Sequence, residues 1–212
     1  KALIHQIKFA DYKEDNVLAQ NILQVEKELT TTSGTAKLVL HSMLGEMYWR
    51  YYQNNRWKLS DRSKTVNIQL DDIETWSLDK IIEVTMEHYV ASFELSVDSK
   101  NNELRTTNYE PILNAGNEKG RQLRPTLFDF LAHRALDFFK SEEPDVTKPS
   151  YAFTVNQEAF LSDAETFAKL KIESKDSLST KFYALTLLQE LTKFHLADKT
   201  PDALVEVDLE RL

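Results

Sequence analysis

Apolar residues recur along this chain every three or four positions, with polar residues between them. Residues 124–139, RPTLFDFLAHRALDFF, carry the clearest pattern: Leu127, Leu131, Ala135 and Phe138 form one stripe, and Phe128, Phe130, Leu136 and Phe139 widen it. A helix so apolar must be covered on more than one side, so it is the expected central helix. Pro125 suits its first position, where a missing N–H costs nothing.

The same period predicts the other helices. Residues 2–10 align Leu3, Ile4, Ile7 and Ala10, and residues 16–29 align Val17, Leu18, Ile22, Val25 and Leu29. Residues 30–34, TTTSG, close that second helix. Residues 36–52 follow with Leu40, Leu44, Met47 and Tyr51 inward, then a polar loop over 53–70 with a short strand at 66–70. A helix begins after Ser77 through Ile81, Ile82, Met86 and Tyr89, and a polar turn falls at 98–102. Beyond it lie an apolar piece at 109–113, a loop at 116–120, and an irregular stretch at 144–160 with an extended piece at 151–155. Ser162 and Glu165 have capping-box spacing for a short helix. Residues 177–196 form the second strongest helix, and Thr200-Pro201 starts the last.

Leu44-Gly45-Glu46-Met47-Tyr48 resembles the L-G-x-x-Y core of a tetratricopeptide helix, in which the Gly admits a neighbouring helix and the Tyr packs between helices. His41 stands where that repeat usually has Trp, and an ordinary helix containing one Gly reads equally well. Ala203-x-x-x-Val207 resembles the second helix of such a unit. The expected fold is all-α: stacked, tetratricopeptide-like hairpins with a few long irregular loops, one helical domain over residues 1–212.

Composition narrows the function classes. Four Gly and five Pro are too few for a many-turned β-sandwich. A net charge of −8 with no long basic run argues against a nucleic-acid partner. With no Cys, these residues can form no disulfide, thiolate site or thioester. No apolar run reaches the length of about 18 residues that a transmembrane helix needs. The chain starts at Lys1 without Met, inside a periodic pattern, and reads as a piece of a longer protein.

Candidate chemistry is sparse. None of His5, His41, His88, His133 and His195 follows an acid by three residues, so the E-x-x-H di-iron pattern is missing, as is H-E-x-x-H. Asp129 and His133 share a helix face, but two ligands make no metal site. Gly116-x-x-x-Gly120 is too short for a phosphate loop. Lys119, Arg121 and Arg124 gather before a helix start and could hold an anion or a partner, although pairing with the chain's own acids is the plainer reading. Trp49, Tyr52 and Trp57 could form an exposed aromatic patch for partners or sugars, or could cover the loop that follows. No G-x-S-x-G elbow is present, and neither catalysis nor a cofactor is expected.

Three segments carry a family resemblance: LHSMLGEMYW at 40–49, YQNNRW at 52–57 and DDIETW at 71–76. The run from Gly116 through RPTLFDFLAHRALDFF, and ALVEVDLERL at 203–212, extend it over most of the chain. Together they resemble the N-terminal helical region of large bacterial alpha-2-macroglobulin family proteins. The resemblance implies a non-catalytic interaction or scaffold domain of a protease-inhibiting or protease-trapping protein. That protein would belong to the cell envelope, facing the periplasm and lipid-anchored through a segment outside this piece. Expected partners are other domains of the same polypeptide, and proteases. The family's bait region and thioester lie outside these residues, so no functional residue carries over. The alternative is a tetratricopeptide-like, glycan-binding outer-membrane lipoprotein domain that uses Trp49, Tyr52 or Trp57.

Overall fold

The computed structural model describes residues 4, 7, 17–60, 72–93, 116–141 and 149–212. The protein is all-α: its described residues form helices and connecting loops, with no strand. In chain order these are α1 (Leu18–Leu29), α2 (Gly34–Ser60), a 3-10 turn (Ile73–Thr75), α3 (Leu78–Phe93), α4 (Glu118–Leu123), α5 (Leu127–Phe139), a second 3-10 turn (Glu158–Leu161), α6 (Ala164–Lys169), α7 (Thr180–His195) and α8 (Asp202–Arg211). Ile4 and Ile7 are also helical, and Ile7 is buried. The expected strand at 66–70, the turn at 98–102 and the apolar piece at 109–113 lie outside the described residues. The helices gather into two compact units, α1–α3 and α4–α8.

In the first unit α1 packs on α2, and α2 on α3. Ile22 and Val25 of α1, Leu44, Tyr52 and Leu59 of α2, and Ile81, Ile82 and Met86 of α3 are buried. Gly45 serves the close approach its motif implies. A Cβ there would sit 2.9 Å from two ring atoms of Tyr89, so α3 lies against bare backbone. α2 runs eight residues past the expected end at Tyr52, through the stretch read as loop. Leu59, seven residues after Tyr52, is buried and anchors two otherwise polar turns. Gly34 has φ of 64° and makes the turn between α1 and α2 in a conformation that costs glycine little.

In the second unit α5, α6 and α8 all pack on α7. α5 is covered on more than one side, with Leu127, Phe128, Leu131, Ala135 and Leu136 fully buried. Yet α7, and not α5, is the element that gathers the others. α5 begins at Leu127 rather than at Pro125, because Thr126 caps it. α6 is capped by Asp163, which accepts from Thr166 N, and not by Ser162. α7 starts after the cap Ser179, and α8 begins at Asp202, one residue beyond Pro201. The stretch 151–155 forms no strand. The irregular chain around α6 is fastened by side chains: Gln189 Nε2 donates to the carbonyls of Phe167 and Leu170, both at 2.8 Å. Arg211 donates to the carbonyls of Phe160 and Ser162 while lying over the Phe167 ring at 4.5 Å.

Candidate functional site

Each described histidine stands next to an acid or to another histidine, and two polar centres result, one in each unit. In the first unit α1 supplies Glu26, α2 supplies His41 and Tyr48, and α3 supplies His88. Glu26 Oε1 lies 2.9 Å from His88 Nε2 and accepts from the Tyr48 hydroxyl at 3.0 Å. His41 Nδ1 lies 3.0 Å from His88 Nδ1. The Tyr48 ring stacks between Trp76 and His88, with centroids 5.7 and 5.5 Å away.

This geometry fixes the protons. A carboxylate only accepts, so His88 Nε2 carries a hydrogen. Two ring nitrogens at hydrogen-bond distance share one hydrogen between them. With both rings neutral, His41 Nδ1–H donates to the His88 Nδ1 lone pair, and His41 Nε2 is left as the base. Burial, His88 and Lys37 lower the His41 pKa to about 4, against the opposing pull of Glu26. Burial pushes the Glu26 carboxyl up, but His88, Tyr48 and His41 outweigh it and hold the pKa below the ordinary value. Burial and the negative charge of Glu26 push the Tyr48 phenol up, so it remains a neutral donor.

In the second unit Thr126 and Asp129 form a buried capping box. Asp129 Oδ2 accepts from Thr126 N at 2.9 Å and from Thr126 Oγ1 at 2.7 Å, and Thr126 Oγ1 accepts from Asp129 N at 3.1 Å. The other oxygen, Asp129 Oδ1, is 3.1 Å from His195 Nε2 on α7. Neither atom of that pair completes a hydrogen bond, so the contact is an ion pair set off the hydrogen-bond axis. His195 Nδ1 bonds Asp198 Oδ2 at 2.7 Å. Burial works against charge on His195, but Asp129 and Asp198 outweigh it and raise the pKa. On the next turn His133 Nδ1 is 3.4 Å from Glu210 Oε2, and Lys140 Nζ is 3.1 Å from Glu210 Oε1. His133, against the opposing effect of burial, and then Lys140 lower the Glu210 pKa to about 2. Asp129 and His133 therefore face neighbouring helices, each paired to a different one.

The three residues of the expected anion group lie on α4 and at its C-terminal cap. Lys119 and Arg121 lie within the short helix α4, and Arg124 gives a two-point bond to Glu206, at 3.1 and 3.3 Å. The start of α5 already holds a negative charge, the Asp129 carboxylate. In the expected aromatic patch, Tyr52 is not exposed. Tyr52 is fully buried and stacks on Trp49 at 4.9 Å, while Trp57 is 86% exposed. Tyr52 points into the core because it shares the inward face with Tyr48 and Leu59, so the three aromatics make no common platform.

Sequence reasoning missed Glu26 and Tyr48 as partners of the histidines. The available signal was the helical register of His41, three before Leu44 and seven before Tyr48. Among the described residues no group of three His, Asp or Glu is placed to hold a metal ion, and no helix is long and apolar enough to cross a membrane. No protein-family model, curated protein or solved structure matches the chain.

Proposed function

We propose that this chain is a non-catalytic helical interaction and scaffold domain of a bacterial alpha-2-macroglobulin-like cell-envelope protein of the protease-inhibiting or protease-trapping class. Its partners are other domains of the same polypeptide, and through them proteases. The segment likenesses carry the family part of this reading. One observation carries the interaction part: α8 is apolar on both faces. Ala203 and Val207 are buried beneath it, while Val205, Leu209 and Leu212 are 51%, 71% and 67% exposed at spacings of four and three. An exposed apolar stripe on a helix is a surface that a partner's groove can cover. Arg124–Glu206, Lys140–Glu210 and the Arg211 clamp hold α8 in place, so little ordering remains to be done on docking.

The test begins with the gene. An export and lipidation signal upstream and macroglobulin domains downstream support the reading, and a reading frame without them removes it. Binding then follows between this chain and the rest of the polypeptide, produced separately. The double substitution Val205→Asp and Leu209→Asp is expected to weaken binding ten-fold or more with the helical content unchanged. Unaltered affinity would discard α8 as the docking face.

A further inference from the structure

Residues 151–155, YAFTV, are a β-prone stretch in a helical unit, since aromatic and β-branched residues favour extended chain. The backbone follows that preference. From 152 to 157 it runs without turn or bend, and Gln157 has φ of −93° and ψ of 126°. Both ends are fixed: Ala152 N donates to the Pro149 carbonyl and Phe160 N to the Gln157 carbonyl, each at 3.0 Å. Phe153 holds the stretch down, its ring edge-on to Phe182 with centroids 5.5 Å apart. A second strand is what is missing. Among the described residues nothing bonds the N–H groups of 153–157 or the carbonyls of 152–156. Thr154, Val155, Asn156 and Gln157 are exposed, Val155 by 53%. An extended row of unpaired donors and acceptors is a template for another strand.

We propose that 152–157 is an edge at which two copies of this chain pair as antiparallel strands.

Charge singles out a second copy as the occupant. The chain carries −8, so two copies repel across most of their surfaces. Yet 150–157, SYAFTVNQ, holds no charge, in a chain that is 28% charged. It holds no Pro either, so the devices that normally blunt an exposed edge are missing. Pairing about a two-fold axis at Val155 sets Val155 opposite Val155 and Thr154 opposite Asn156. Apolar then meets apolar, and a hydroxyl meets an amide. The backbone is already extended and pinned by Phe153, so little ordering is left for the pairing step. Six residues bury far less than the roughly 1,200 Å² of a stable interface, so the pair is weak and depends on concentration.

Amide exchange read by NMR on the intact chain, from micromolar to millimolar concentration, tests the edge. Alternate amides within 153–157 are expected to gain protection tenfold or more as concentration rises, while α8 keeps its own. Val155→Lys, at an exposed position, sets two like charges on the axis. It is expected to weaken association at least tenfold, although it brings the net charge closer to zero. Association that strengthens in this variant would be limited by net charge alone and would overturn the pairing. Unprotected amides at 153–157 at millimolar concentration overturn it, and so does association that protects the α8 stripe in their place. The peptide acetyl-SYAFTVNQ-amide, added to the unaltered chain, gives a reading independent of the variant. It is expected to shift the resonances of 153–157, and their constancy at millimolar peptide overturns the proposal.

Discussion

Asp129 is the residue on which the second unit is most exposed to damage. One oxygen caps α5 and the other faces His195, and neither residue reaches water. Removing one partner of such a pair strands the other charge, which typically costs about 3–5 kcal/mol. His195→Leu is therefore expected to destabilise the second unit on that scale, read from denaturant unfolding. Thr126→Ala removes the neutral half of the capping box and is expected to cost about 1–2 kcal/mol. Because the His195 pKa is raised, its contribution is complete below pH 6.5 and is lost as pH climbs through the raised value. Asp129→Asn should remove much of that alkaline loss. Glu210 acts at the other end: its contribution is present above pH 4.5 and is lost as pH falls through about 2.

Among the elements, α2 shows how close two helices are packed. Gly45 lowers helix propensity by about 1 kcal/mol relative to Ala, so Gly45→Ala would stabilise an isolated helix. In the fold, the new methyl group meets the buried Tyr89 ring at 2.9 Å, and overpacking of this kind costs about 1–3 kcal/mol. The expected outcome is a lower melting temperature for Gly45→Ala, the reverse of what propensity dictates. Arg211 plays the corresponding role for the irregular chain before α6. Lys cannot reproduce its fork to the Phe160 and Ser162 carbonyls, so Arg211→Lys is expected to raise amide exchange around 158–163 while α5 is unaffected.

The two units answer pH in opposite directions. The first loses stability towards acid through His41, and the second towards alkali through His195. Exchange measured unit by unit from pH 5 to 9 should give profiles that cross. A common profile would show that these histidines do not set the stability of their own units.

What the sequence by itself determined was the helical class and most of the inward faces. Leu127, Leu131 and Ala135, or Ile22 and Val25, repeat at the helical period, and burial of apolar surface follows that period whatever the neighbours are. Gly45 was legible for the same reason, since the motif encodes a local approach. The tertiary structure decided the ends of helices and the partners of polar groups. α2 continues to Ser60 because a single Leu59 finds a buried place, and α5 starts after Thr126 because its own Asp129 answers the cap. Glu26 meets His88 across 62 positions, and Asp129 meets His195 across 66. Electrostatic pairing depends on distance in space, which chain spacing does not encode, so these centres became visible only when the helices were packed.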